Sequence, residues 1–211
     1  MSVSSSSFHI DLMRHGETTG GFAFRGSLDD ALTDLGRARM QAGHDRHGPW
    51  QQIISSPLRR CLAPARDWSR DAGIPLQEES RLREMHFGTW EGRTAADLME
   101  SEPEALGKFW QDPLNHIPPG AEPLVDFRER VLQAWEEALA RVAAGPQLLV
   151  THGGVIRLIL LHAQQRPLSD LLKLDVPHAC VYRIHVQEGG GVSAVSALGA
   201  VDMEVESGDP S

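Results

Sequence analysis

The sequence predicts an α/β fold with a mostly parallel central sheet, and three observations carry that expectation. Apolar runs of strand length alternate with helical patterns from the N-terminus onward, the rhythm of βαβ units. Three of those runs end in polar or cationic residues: Arg14 and His15, Ser55 and Ser56, Thr151 and His152. Such residues at strand ends fit an open sheet that binds ligands beyond its carboxyl edge. Finally, 211 residues suffice for one well-buried domain, and a second would be cramped.

Taken in order, Phe8 to Met13 reads as a strand, and a helix runs from Thr33, a suitable N-cap, to about His47. Gln52 to Ser55 forms a second short strand before "SSPLRRC" opens another helix. Pro75 and Leu76 begin a short extended piece, "RLREMHFGTWEG" is an irregular loop, and Thr94 to Glu100 starts a helix. The stretch from Ser101 to Pro123 holds five prolines with Phe109 and Trp110, and is expected to cross one face of the sheet as an excursion. A long helix from about Val125 to Ala143 offers Val125, Val131, Leu132, Trp135 and Leu139 as its apolar face.

"PQLLVTHGGVIRLILLHA" then repeats the opening pattern: an apolar run, a polar residue and a histidine, glycines, a helix. "HACVYRIHV" and "VSAVSALG", split by Glu188-Gly189-Gly190-Gly191, alternate like a closing hairpin. The expected domain is 8–199, with residues 1–7 and 200–211 as flexible tails.

Composition narrows the function. A net charge of −9 argues against a nucleic-acid binder that works by broad phosphate neutralisation, so any bound anion must be caught locally. Lysine occurs only at Lys108 and Lys173, and the remaining basic side chains are arginines, which suit bidentate phosphate recognition. Cys61 and Cys180 are too few and too isolated for a disulfide framework or a zinc site. "MSVSSSS" lacks a signal-peptide pattern, and no run reaches about 18 apolar residues, so a cytoplasmic protein with no membrane contact is expected.

Two imidazoles, two guanidinium groups and a helix N-terminus converging at one sheet edge make a phosphate site that needs no metal. A neutral imidazole nitrogen in line with phosphorus is a competent nucleophile, and a carboxyl group must then protonate the leaving oxygen. Glu17, Glu84 and Glu91 are all candidates, and spacing does not choose among them. Singly, each residue has a plain structural reading: a strand-end histidine, a solvated helix arginine, a capping carboxylate. Their combination is what points to chemistry.

"LMRHGET", "SSPLRRC", "LREMHFGTWEG" and "VTHGG", in this order and at these separations, resemble the histidine phosphatase superfamily across roughly Phe8 to Gly199. The resemblance implies the phosphoglycerate-mutase-like fold, a three-layer α/β/α sandwich. It implies a phosphomonoesterase working through a phosphohistidine on His15, with no cofactor and no metal. Arg14 and Arg60 would bind phosphoryl oxygens, His152 would stabilise the same group with Gly153 beside it, and Glu84 would be the proton donor. Arg60 is preferred to Arg59 because the pattern places a small residue, here Cys61, after the arginine.

Two positions depart from the family pattern: Gly21 stands where asparagine is frequent, and Pro64 where threonine is. A narrower likeness, in "GGFAFRGSLDDALTDLGRARMQAG", "HFGTWEGRTAADLM" and "FWQDP", is to the α-ribazole-5′-phosphate phosphatases of cobalamin biosynthesis. It implies a small phosphomonoester as partner, with Arg25 reaching the phosphate or ribose. The 101–123 excursion itself reads in two ways: as a lid over the site with Trp110, Phe109 and His116 touching a flat base, or as a segment that Phe109 and Trp110 simply pin to the sheet. The alternatives are a broad-specificity sugar or nucleotide phosphatase, then a phosphoglycerate mutase, then a catalytically inactive binding module.

Overall fold

The computed structural model describes residues 8–187 and 191–200. The expected tails, apart from Ala200, and three residues of the last turn lie outside the described residues.

Among the described residues six strands form one sheet in the order β3-β2-β4-β1-β5-β6. They are β1 (Phe8–Arg14), β2 (Gln52–Ser55), β3 (Leu76–Glu78), β4 (Gln147–Thr151), β5 (Val181–Val186) and β6 (Val192–Gly199). The first four are mutually parallel, whereas β5 runs antiparallel to β1, and β6 antiparallel to β5. The sheet is therefore mixed, because the closing hairpin returns along the β1 edge.

Among the described residues six α-helices accompany it: α1 (Asp34–His47), α2 (Arg59–Ala72), α3 (Ala95–Ser101), α4 (Pro103–Gln111), α5 (Leu124–Arg141) and α6 (Gly153–Ala163). Thr33 caps α1 as expected, its hydroxyl accepting from the Gly36 N–H at 2.9 Å. Thr94 and Asp97 form a capping box at the start of α3.

Successive strand residues face opposite layers, and the core divides accordingly. Met13, Ile53, Leu148 and Val150 pack against Met40 of α1 and Cys61, Ala65 and Trp68 of α2. Ile10, Leu12, Ile54 and Leu149 pack against α5 and α6 through Phe127, Val131, Trp135, Val155 and Ile159. This is the expected three-layer sandwich. Asp11 is buried on the strand opposite this pattern and is matched by Arg183, two contacts of 2.8 Å, and by Trp50 Nε1 at 2.9 Å.

One expectation needs correction. The apolar face of α5 is set by Leu124, Phe127, Val131, Ala134, Trp135 and Ala138, while Val125 is 61 % exposed. The inward positions step by three and four from Leu124, and Val125 falls one residue, about 100° of helix rotation, out of phase. The stretch from Ser101 to Pro123 begins in regular structure, while further along Ile117 and Ala121 pack against the cluster that holds Ile10, Leu12 and Leu149. Pro103 opens α4, since proline at the first helical position loses no hydrogen bond. Leu106 and Phe109 of α4 pack with Trp90 and Leu98, flanked by Phe24 and Phe87, in a satellite cluster that contains no strand residue.

The register places the site. β1 and β4 run side by side with Arg14 opposite Thr151, and Ser55 of β2 lies opposite Val150. One residue further, His15 N–H donates to Thr151 O at 2.9 Å and Ser56 N–H to Val150 O at 3.0 Å. His15, Ser56 and His152 are thereby delivered to one edge. The turn after His15 presses on the first turn of α1: a Cβ at Gly16 would lie 2.2 Å from Gly36 O, and one at Gly36 2.3 Å from Glu17 O.

Candidate active site

At the carboxyl edge of the sheet, Arg14, His15, Glu84 and Gly153 line one cavity of 330 Å³, together with Arg25, Arg157, His178, Phe22, Phe109 and Trp110. Arg60 and His152 are fully buried behind its wall. The sequence candidates thus converge in two ranks, one facing the cavity and one supporting it.

His15 is almost fully buried, and its Nδ1 lies 2.7 Å from Gly16 O. A carbonyl only accepts, so Nδ1 carries the proton and the lone pair sits on Nε2. Burial, then the cationic fields of Arg60 and Arg14, hold the imidazole well below its ordinary range. The result is a neutral ring with a free nitrogen beside two guanidinium groups.

His152 meets His15 edge-on, ring centroids 5.2 Å apart at 61°. Arg60 Nε donates to its Nδ1 at 3.3 Å, so the proton is on Nε2, which donates to Ser56 Oγ at 2.7 Å. Burial and Arg60 keep this ring neutral as well. The remaining guanidinium nitrogens of Arg60 donate to the carbonyls of Leu28 and Gly26, at 2.5 and 3.1 Å, and more weakly to Arg25 O. Arg60 therefore ties the 25–28 loop to the histidine pair and puts positive charge behind His15. Arg59 is exposed and contributes only its backbone N–H, to Asp29.

Arg14 donates through Nη1 to Val176 O and through Nη2 to His178 Nε2 at 3.0 Å. Its Nε is buried and has no hydrogen-bond partner among the described residues. A Cβ on Gly153 would lie 3.3 Å from that Nε, so the glycine leaves the N-terminus of α6 open beside it.

The three carboxylate candidates separate by their partners. Glu91 accepts four backbone N–H groups, from Gly26, Ser27, Leu28 and Phe87, at 2.9 to 3.3 Å. It is a loop anchor. Glu84 lines the cavity and accepts from Met85 N–H at 3.0 Å and Gly154 N–H at 2.9 Å. Glu17 does not line the cavity and contributes its carbonyl to Thr33 N–H at 2.9 Å.

Phe109 is 4 % exposed and meets Trp90 edge-to-face at 5.4 Å, whereas its neighbour Trp110 is 47 % exposed on the cavity rim. His116 lies in a separate depression with Trp90 and Lys108. Arg25 lines the cavity but is engaged by Asp30 and Gly20 O. Sequence reasoning missed His178 and Arg157. His178 sits in what reads as the start of a hairpin. Arg157 stands one turn into α6, and a helical side chain leans toward the N-terminus, here over Gly153.

A buried neutral histidine flanked by guanidinium groups and a carboxyl, at the carboxyl edge of an α/β sheet, defines an enzyme class that handles phosphoryl groups. The chain belongs to the histidine phosphatase superfamily, branch 1, whose family model matches residues 10–197, and it is a phosphoric monoester hydrolase. It is 36 % identical over 156 residues to glucosyl-3-phosphoglycerate phosphatase of Mycolicibacterium vanbaalenii, covering 69 % of each chain. It is 30 % identical over 186 residues to adenosylcobalamin/alpha-ribazole phosphatase of Salmonella typhimurium, covering 84 % of this chain and 90 % of that one. The crystal structure of the alpha-ribazole phosphatase from Shigella flexneri superposes with a TM-score of 0.74 at 27 % identity, over 89 % of this chain and 95 % of that one.

Proposed function

We propose that the chain is a metal-independent, cytoplasmic phosphomonoesterase acting through a phosphohistidine on His15, with α-ribazole 5′-phosphate as its substrate. The observation that carries the mechanism is the His15 Nδ1 to Gly16 O hydrogen bond, which leaves Nε2 as a free nucleophile in a cationic pocket. Nε2 attacks phosphorus and the bond from phosphorus to the ester oxygen breaks. Glu84, as the acid, gives its proton to that oxygen. In the second half, the Glu84 carboxylate takes a proton from water, the water oxygen attacks phosphorus, and the N–P bond breaks to release inorganic phosphate and free His15. Arg14 holds the phosphoryl oxygens with the open N-terminus of α6 at Gly153. Arg60 and His152 support the charge from behind the wall.

The substrate reading is supported by the cavity rim. Phe22, Trp110 and Leu172, three side chains that leave large apolar surface exposed, all border this cavity. Such a rim suits a phosphate ester with a flat, apolar alcohol portion, since stacking a base on an aromatic ring contributes about 1–3 kcal/mol. The test is KM for α-ribazole 5′-phosphate against glycerol phosphate in wild type and Trp110→Ala. A rise of about tenfold confined to the ring-bearing ester supports the reading, and equal rises on both overturn it. A broad-specificity sugar or nucleotide phosphatase, the second reading, is favoured by the likeness to the glucosyl-3-phosphoglycerate phosphatase of Mycolicibacterium vanbaalenii, and would show no preference for the ring.

A further inference from the structure

We infer that His178 is a positioning residue for the phosphoryl site, a hydrogen-bond acceptor that fixes the Arg14 guanidinium so that its Nε–H faces the incoming phosphoryl oxygen. The inference rests on the phosphohistidine reading and extends it to a residue outside the family motifs described above.

A guanidinium has five N–H donors and no acceptor. The 3.0 Å contact between Arg14 Nη2 and His178 Nε2 therefore has one polarity: the arginine donates and the imidazole nitrogen accepts. Val176 O takes a second donor, from Nη1. The segment 176–178 thus grips one side of the planar fork at two points, which fixes the direction of the opposite side. On that side Nε is buried and unpartnered, next to the open N-terminus of α6 at Gly153. A single contact would let the fork swivel, whereas two do not.

The backbone around His178 is built to hold the ring there. Ala179 N–H donates to His15 O at 3.2 Å, and Arg14 N–H donates to Cys180 O at 3.1 Å, so both flanks are tied to the nucleophile strand. Ala179 adopts φ +57°, a left-handed conformation that a residue with a Cβ rarely takes and that gathers at functional sites. The His178 ring lies 5.4 Å from the His15 ring and 6.2 Å from Phe22, on the cavity wall. Burial, then Arg14 and Arg39, keep it neutral, with its titration lowered to about 4. The lone pair that Arg14 needs is therefore present at neutral pH.

Two substitutions separate the acceptor from the ring. His178→Phe keeps an aromatic ring against His15 and Phe22 and removes the acceptor. His178→Gln removes the ring and keeps an acceptor oxygen near the place of Nε2. The readouts are the inhibition constant for orthovanadate, a probe of the phosphoryl site alone, and KM and kcat for p-nitrophenyl phosphate. Misplacing a preorganised donor should weaken vanadate binding and raise KM by about tenfold in His178→Phe, with His178→Gln within about threefold of wild type.

The reverse order, equal damage in both, or no effect in either overturns the inference. If His178→Phe does not fold, His178→Gln against His178→Leu decides in the same way. Failure of the underlying mechanism is visible separately: wild-type enzyme would then form no phosphohistidine, whatever the variants do to vanadate.

Discussion

Glu84 Oε2 accepts the N–H of Gly154 across 2.9 Å, so the proposed acid caps the first turn of the helix whose N-terminus faces the phosphoryl site. Removing a carboxylate here removes both a proton source and a cap. Leaving-group dependence separates the two roles. Glu84→Gln keeps an oxygen for Gly154 and should lower turnover of alkyl phosphates by about 10²–10⁴-fold, while p-nitrophenyl phosphate, whose phenolate leaves unprotonated, loses far less. Equal losses on both esters would move the acid elsewhere.

A methyl group at position 154 would meet the same carboxylate. The Cβ of Gly154→Ala would stand 2.4 Å from Glu84 Oε1, a flexible side chain that can swing away. The expected outcome is a folded enzyme with the Glu84→Gln pattern: alkyl phosphates impaired, p-nitrophenyl phosphate spared. Thermal melts alongside both assays check it.

His15→Ala should abolish phosphatase activity in a folded protein, since Nε2 of His152 is engaged by Ser56 and is not free to replace it. Quenching wild type during turnover of ³²P-labelled substrate should put acid-labile phosphate on His15. Label on His152 alone would sink the assignment.

Activity should persist in a chelator. The cavity is lined by guanidinium and imidazole groups and, among the described residues, by one carboxylate, Glu84, a donor set that suits an anion and would repel a divalent cation. Assay after EDTA treatment, with and without added Mg²⁺ or Zn²⁺, reads this directly. Loss restored by metal would replace the phosphohistidine route.

Acid affects activity and stability with the same sign. Burial holds His15 and His152 well below the ordinary imidazole range, and His178 at about 4. The acid limb of kcat/KM, corrected for substrate ionisation, should therefore lie below pH 6.5. The unfolded chain takes up protons below about pH 6.5 that the native histidines refuse, so the unfolding free energy should fall as pH drops from that value towards 4. Urea titrations at pH 7, 6 and 5 test the slope.

Adjacent aromatics on α4 should behave oppositely. Phe109→Ala empties the centre of the satellite cluster and should cost about 3–5 kcal/mol. Trp110→Ala acts at the exposed rim and should change stability by only about 0.5 kcal/mol while altering KM. Denaturant curves and kinetics on the two variants make the comparison.

Strands β1 and β2 and helix α1 were legible because their signals are local: apolar runs of the right length and a threonine cap. The direction of β5 was not, since a strand's partner is set by the register of the finished sheet and not by its own residues. Five prolines in the 101–123 stretch read as disruption, yet Pro103 stands where a helix starts without penalty. At the site, Arg14, His15, Glu84 and Gly153 came from compact motifs. His178 and Arg157 carry no such flag, because one reaches the cavity through a turn at Ala179 and the other through helix geometry, neither written in adjacent letters. The division between cavity-facing Arg14 and wall-buried Arg60 is likewise a property of packing.

The contact between Gly16 and Gly36 sets a limit on how this enzyme can vary. Each glycine touches the other's backbone neighbourhood, and a Cβ on either meets a carbonyl oxygen at little over 2 Å. Substituting one position therefore displaces the turn that follows His15, and substituting the second adds another obstruction without relieving the first. No order of single steps leads from the glycine pair to a pair of larger residues through a working intermediate. In a library of point variants selected for turnover, both columns should stay at glycine, and recombining survivors will not unlock them. Redesign of this corner must move the backbone of α1 before it changes a side chain.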